Sequence, residues 1–278
     1  MTAKTLRIER DGEVARVWLD RPEVRNALNA TLIGELAAVF AALAGEDGVR
    51  AIVLGGSGKA FCAGADLGAM REAAQFTWQQ NHADAARLAE MLWSLYSCPV
   101  PVVARIHGDC YAGGLGIASV CDIRVVAEGV TFSLSEARLG LLPATISPYV
   151  VRAMGEQAAR RYFVTAERFG AAEAKAMGLA HETCPTEAID DVVGRVVGAI
   201  VANGPHATRA CKRLVQDVAG REISAGLRAD TARRIADIRA SEEGREGIQS
   251  FLDKRAPKWL APAADANAPL GTQPGKTP

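Results

Sequence analysis

The chain has 278 residues, 49% of them hydrophobic and 23% charged, with 32 Lys plus Arg against 32 Asp plus Glu. That length buries a sizeable core, as one large domain or as a domain with an appendage. The balanced charge leaves no electrostatic footprint for nucleic acid or an anionic membrane, and no apolar run approaches the roughly 18 residues of a membrane span.

The first residues, MTAKTLRIERDGEVARVWLD, carry early acids and no apolar block, so no signal peptide is expected and the expected location is cytoplasmic. Within them LRIER and VARVWLD read as two strands around the turn DGE. NALNATLIGELAAVFAALAGE then places Leu28, Leu32, Leu36, Phe40 and Leu43 on one helical stripe that ends at Gly45. VRAIVLGGSG is a short buried strand running into glycines. QQNHADAARLAEMLWSLYSCPVP is an amphipathic helix stopped by Pro99 and Pro101. VVARIHG and DIRVVAEG are further buried strands, and strands alternating with helices predict an α/β architecture. From about residue 150 the segments are Ala-rich and helical, so the expected division is a core over 1–199, a C-terminal helical region over 200–260 and a disordered Ala/Pro/Gly-rich tail over 261–278.

Cys62, Cys98, Cys110, Cys121, Cys184 and Cys211 lie far apart with no CxxC pair, which favours buried reduced thiols over zinc or disulfides. His82, His107, His181 and His206 are equally scattered, so no metal site is expected. GTQPGKT in the tail imitates a phosphate-binding loop, but it has three residues between its glycines where that loop needs four.

Two segments share one design. VRAIVLGGSGKAFCAGADL and VVARIHGDCYAGGLGIASVCD each run from a strand through a glycine turn into small residues that can open a helix. Small residues let a ligand reach backbone N–H groups, and the first N–H groups of a helix have no intrahelical partner. Two such turns facing one point would make an oxyanion hole from main-chain donors alone; the plainer alternative is tight packing of turns on a sheet. GDCYA also loosely imitates the nucleophile elbow of α/β-hydrolases, with Cys110 as nucleophile and His181 or His206 as the distant base. Its last residue is Ala112 where the elbow has glycine, and a buried, inert Cys110 is the competing reading.

The stretches RPEVRNALN (21–29), KAFCAGADL (59–67), GGLGIASVCDIRVV (113–126), FSLSEARLGLLP (132–143), AKAMGLAHE (174–182) and EGREGIQSFLDKRAPKW (243–259) together carry a resemblance. In their order and spacing the chain resembles the enoyl-CoA hydratase/isomerase (crotonase) superfamily over about residues 5–260. The resemblance implies a spiral of repeated ββα units with a C-terminal helical oligomerisation region, a homotrimer or dimer of trimers, and an acyl-CoA thioester substrate. Coenzyme A is then part of the substrate, and no separate cofactor is expected. It also implies that the backbone N–H groups of Ala63 and Gly113 hold the thioester oxygen, and that Glu136 is the catalytic carboxylate. Family hydratases use a second carboxylate three residues after the second donor glycine, and that position is Gly116 here. Hydration needs a water activated for attack and a proton delivered to carbon. Either Glu136 does both, or a carboxylate comes from elsewhere, or the reaction is isomerisation or decarboxylation.

The segment PATISPYVVRAMGE lacks the Gly-Gly run usual after its proline and, with AGGLG, resembles the bacterial 3-methylglutaconyl-CoA hydratase type and related leucine- and terpenoid-pathway hydratases. A distal carboxylate on such a substrate would want a cation or polar pocket, with Arg138, Ser147 and Tyr149 as candidates beside Gly116. A generic short-chain enoyl-CoA hydratase is the other reading. For the CoA moiety the resemblance implies Arg25, Ala27 and Leu28, then Ala65, Asp66 and Leu67, with Phe251 and Lys254 reaching across a subunit interface. The non-enzymatic alternative is a CoA- or RNA-binding scaffold, and the balanced charge speaks against RNA.

Overall fold

The computed structural model describes residues 3–260; the tail over 261–278 and its imitation phosphate loop lie outside the described residues. Strands β1 (Leu6–Asp11) and β2 (Val14–Leu19) form the expected antiparallel hairpin, from Leu6 opposite Leu19 to Asp11 opposite Val14. From β2 onward the large sheet is parallel, through β3 (Ala51–Gly56), β5 (Val102–Ile106), β7 (Ile123–Ala127) and β10 (Glu182–Cys184). A second sheet holds β4 (Ala60–Cys62), β6 (Asp109–Tyr111) and β8 (Thr131–Ser133) in parallel, with β9 (Arg168–Gly170) antiparallel at its edge.

The pairs β3/β4, β5/β6 and β7/β8 each lay one strand in the large sheet and the next in the small one before a helix returns the chain, which is the expected ββα spiral. The step between the sheets is tight. A Cβ on Gly108, between β5 and β6, would stand 2.1 Å from the Lys59 carbonyl oxygen, so no side chain fits there.

Helix α1 (Ala30–Ala44) starts at Asn29, whose Oδ1 accepts from the Leu32 N–H at 2.9 Å, and it buries Leu32, Leu36, Phe40 and Leu43 as the stripe predicts. Helices α2 (Leu67–Ala73) and α3 (Trp78–Ser97) follow β4; α3 is capped by Thr77 and Gln80 and buries only Met91, Leu92 and Leu95 near its C-terminal end. Helix α4 (Gly113–Val120) is buried from Gly114 onward. Helices α5 (Ser147–Met154), α6 (Glu156–Thr165), α7 (Ala171–Ala176), α8 (Ile189–Val201) and α9 (Pro205–Val218) follow.

The chain divides into two compact units, and the boundary differs from the one expected at 199. The first unit runs to Asn203 and takes in Thr208–Asp217; the second holds Gly204–Ala207 and the chain from Val218. Residues 208–217 belong with the sheets because their side chains anchor there. Arg209 donates to the Val49 carbonyl at 3.1 Å, and Lys212 Nζ sits 2.7 Å from Asp122 and 3.1 Å from the Val100 carbonyl. Asp122 also accepts from the Val102 N–H at 2.8 Å; its burial, outweighing the pull of Lys212, raises its carboxyl above the usual range. Removing one member of a buried pair typically costs about 3–5 kcal/mol. Lys212→Met is accordingly expected to lower the unfolding midpoint by roughly 10 °C, read by thermal circular dichroism; a midpoint within about 2 °C of the parent would show that Asp122 is solvated or protonated without it.

In the second unit α10 (Ala225–Ala240) and α11 (Glu242–Leu252) share Ser241, which ends one helix and whose Oγ accepts from the Gly244 N–H at 3.0 Å to start the other. Glu243 accepts from the N–H groups of His206 and Ala207, at 3.0 and 2.8 Å, satisfying donors at a helix start. Ile223, Phe251 and Leu252 of this unit are largely exposed.

Candidate active site

A cavity of about 560 Å³ opens in the first unit. Its wall combines the start of α1 (Leu28 to Ala30, Ile33), the turn residues Ala63 and Ala65, one face of α2, the Asn81–Leu88 stretch of α3, Ala112 with Gly113, and the segment from Ser135 to Ile146.

Two glycine turns meet here as the sequence suggests. Gly64 lies at φ 92°, and a Cβ on it would stand 3.0 Å from Ala112 Cβ and 3.2 Å from the Tyr111 carbonyl oxygen. Ala112 itself holds φ 47°, a left-handed value that costs an L-residue energy. Its N–H donates to the Ser133 carbonyl at 2.8 Å, so the small sheet fixes that bend. Gly113 is the first residue of α4, and its N–H has no intrahelical partner. The first bond of the helix is made by the Gly116 N–H to the Ala112 carbonyl at 3.2 Å.

The other donor is not the residue expected. The Ala63 N–H already donates to the Arg25 carbonyl at 3.0 Å. Ala65 is different: the parallel bridge it forms with Leu28 uses the Leu28 and Asp66 N–H groups, at 2.7 and 2.9 Å, and leaves the Ala65 N–H without a partner among the described residues. Ala65 therefore replaces Ala63 as the free main-chain donor on this wall. The sequence carried both in CAGAD, and hydrogen-bond occupancy separates them.

Glu136 lines the same cavity at the head of the short helical turn Glu136–Leu139. Its Oε2 is buried and has no hydrogen-bond partner among the described residues, and burial raises its carboxyl above the ordinary value of 4.5. A carboxylate oxygen left without a partner at a cavity wall is poised to take a proton.

Other expected residues fall elsewhere. Gly116 does not reach the cavity: it is buried in α4, and a Cβ on it would stand 2.2 Å from Ile146 Cγ2. Arg138 donates to the Ala166 carbonyl at 2.7 Å, Ser147 Oγ to the Ala144 carbonyl at 2.7 Å, and Tyr149 packs on Tyr96 with ring centroids 5.3 Å apart. None of these three is on the cavity wall, because each is spent on fixing loops or helices around it.

Among the residues expected to hold CoA, Leu28, Ala65 and Leu67 line the cavity. Asp66 is committed to structure: it caps α2 through the Gly68 N–H at 2.8 Å and pairs with Arg21 at 2.8 Å, and the Arg21 guanidinium holds its carboxyl below the usual range. Arg25 is exposed in a left-handed conformation, and Ala27 is buried, its carbonyl accepting from Arg21. Phe251 and Lys254 lie in the second unit, Phe251 at the end of α11 and Lys254 just beyond it.

Arg21 was not singled out by the sequence, although RPEVRNALN contains it. By bonding both Ala27 and Asp66 it ties the turn before α1 to the turn that carries Ala65. Asn26, fully buried, locks the same region through the Ser57 and Ala60 carbonyls, each at 2.9 Å. Cys110 is buried and burial pushes its thiol well above the ordinary value, while His181 Nδ1 accepts from the Arg124 N–H at 3.1 Å. A thiol held in that state is not a nucleophile, and the hydrolase reading fails. Among the described residues no group of three or more His, Cys, Asp or Glu could hold a metal, and no helix is long and apolar enough to cross a membrane.

Two sheets wound as a spiral, with unpaired main-chain donors on one wall of a cavity and a buried carboxylate on another, define an α/β protein of the crotonase type. The chain belongs to the enoyl-CoA hydratase/isomerase family, whose model matches residues 9–262. It is similar to an enoyl-CoA hydratase of known structure from Shewanella pealeana, with 38% identity and a TM-score of 0.89 over 92% of this chain and 96% of that one. The structure of Pseudomonas aeruginosa AtuE gives 35% identity and a TM-score of 0.89, covering 93% and 100% of the two chains. A Rhodobacter capsulatus protein named "probable enoyl-CoA hydratase" is 36% identical over 93% of this chain and 99% of its own length.

Proposed function

We propose that this chain is a hydro-lyase adding water across the α,β double bond of an enoyl-CoA thioester whose acyl chain is short and uncharged. The observation that carries the reading is the buried, unpartnered Oε2 of Glu136 sharing one cavity with the free N–H groups of Ala65 and Gly113. Water attacks the β-carbon as Glu136 takes its proton. The electron pair of the double bond moves to the thioester oxygen, where the two N–H groups hold the developing charge. Glu136 then returns its proton to the α-carbon, so one carboxylate supplies both transfers and the atoms of water end on adjacent carbons.

A 3-methylglutaconyl-type chain ends in a carboxylate. The only charged residues among the described lining are Asp84 and Glu136, both acidic, and no Lys, Arg or His joins them. Like charge there opposes a carboxylated acyl group, which is why an uncharged chain is favoured. Isomerisation is the second reading, because moving a double bond needs one proton shuttle and a single carboxylate suffices. We further propose assembly as a homotrimer or dimer of trimers, supported by the exposed apolar residues of the second unit.

One assay separates the two reactions. Hydration of a 2-enoyl-CoA removes the conjugated thioester absorbance, whereas isomerisation of a 3-enoyl-CoA creates it. We expect loss with the 2-enoyl substrate; gain with the 3-enoyl substrate and no loss with the other would establish isomerisation instead. Glu136 must be ionised to act, so kcat/KM should fall as pH drops through its burial-raised pKa, with the acid limb above the ordinary carboxylate value of 4.5. A limb at or below that value would remove Glu136 from the base role.

A further inference from the structure

We infer that Ile146 determines acyl-chain specificity by forming the deep wall of the cavity, a role that rests on reading the cavity as an acyl-CoA site. Most of the segment from Leu139 to Ile146 is open to solvent, and Leu67, Leu141 and Leu142 at the cavity rim are all more than half exposed. Ile146, in contrast, is only 2% exposed although it lines the same cavity. The bulky, charged CoA moiety must lie toward the open rim, so the acyl chain extends toward the buried side.

The position of that wall follows from helix geometry. Gly116 lies three residues beyond the donor Gly113, a rise of about 4.5 Å along α4. Ile146 fills the notch left by the missing side chain, with Cγ2 2.2 Å and Cβ 2.8 Å from where a Cβ on Gly116 would be; Leu92 Cδ2 backs the notch at 3.8 Å. The methyl groups of Ile146 therefore stand about one helical turn from the thioester oxygen, at the level of the β-carbon and its substituents. The backbone of Ile146 cannot move aside cheaply, since its carbonyl accepts from the N–H groups of Tyr149 and Val150, both at 3.1 Å, to open α5. A rigid, β-branched wall at that level limits how much acyl chain enters.

The test uses saturated acyl-CoAs, which bind without reacting, titrated by calorimetry into the full chain. Butyryl-, isovaleryl-, hexanoyl- and octanoyl-CoA form the series, and turnover of the matching 2-enoyl-CoAs is measured alongside. Ile146→Ala should tighten isovaleryl- and hexanoyl-CoA relative to butyryl-CoA by about ten-fold or more, the discrimination typical of one methylene in an apolar pocket. Ile146→Val, which is gentler on folding, should shift the series in the same direction by a smaller factor. A series parallel to the parent in both variants overturns the role of Ile146 and leaves the hydratase reading standing. A shifted series without turnover of any 2-enoyl-CoA supports the wall and overturns the hydratase reading alone.

Discussion

Replacing the Glu136 carboxylate with its amide, Glu136→Gln, is expected to lower kcat/KM for an enoyl-CoA by about 10²–10⁴-fold, the usual worth of a positioned general base. The affinity for a saturated acyl-CoA should stay within a few-fold, because Gln has the same shape and the thioester is held by the main-chain donors at Ala65 and Gly113. A second readout separates catalysis from a structural fault. The Glu136 pKa is raised by burial, so ionised Glu136 destabilises the folded chain at pH above that raised value; the penalty disappears once pH falls below the carboxyl's unfolded pKa. A buried amide without a partner costs less than a buried carboxylate without one. The variant should consequently be at least as stable as the parent at neutral pH and lose that advantage in acid. Activity above a tenth of the parent's would remove Glu136 from the base role, and a variant both inactive and less stable at neutral pH would point to a structural one.

The parts of this fold most legible in the sequence are those where one local pattern fixes one element. The stripe from Leu32 to Leu43 is the buried face of α1, and the glycines that end VRAIVLGGSG and VVARIHG, Gly58 and Gly108, lie in the turns between the sheets. Glu136 was legible as well, through a motif and not through its environment. Ala65 was not, because residues 63 and 65 are both alanines in one loop and only the partners of their N–H groups distinguish them. Arg138, Ser147 and Tyr149 are polar residues near the right segment, yet each is taken up by a backbone carbonyl or an aromatic ring and none lines the cavity. Sequence proximity locates a segment and says little about which way its side chains point. Ile146 was missed for the same reason: its meaning comes from Gly116, thirty residues earlier and adjacent only after folding.

Gly116→Glu is expected to damage the protein for every acyl chain alike. The sequence suggests that a glycine in place of the second carboxylate leaves room for substrate, in which case an added glutamate would hinder large or charged acyl groups selectively and spare a crotonyl chain. The packing excludes that room. An added Cβ would lie 2.2 Å from Ile146 Cγ2 and 2.8 Å from Ile146 Cβ, far inside contact distance. Overpacking of this kind typically costs about 1–3 kcal/mol, and the carboxylate behind it would be buried without a partner, at a further cost of several kcal/mol or a strongly raised pKa. A total near 4 kcal/mol corresponds to a fall of roughly 10 °C in the unfolding midpoint. Crotonyl-CoA and a branched enoyl-CoA should lose turnover by similar factors, since the fault lies in the docking of α4 on α5 and not in contact with the acyl chain. Combining the change with Ile146→Ala removes the Cγ2 clash but leaves the two Cβ atoms 2.8 Å apart, so the double variant should recover part of the midpoint and no more. Thermal unfolding and kcat/KM for both substrates, measured in parent, single and double variants, decide the matter. A single variant as stable as the parent, with crotonyl-CoA turnover raised, would mean that Ile146 yields and that position 116 opens onto the substrate after all.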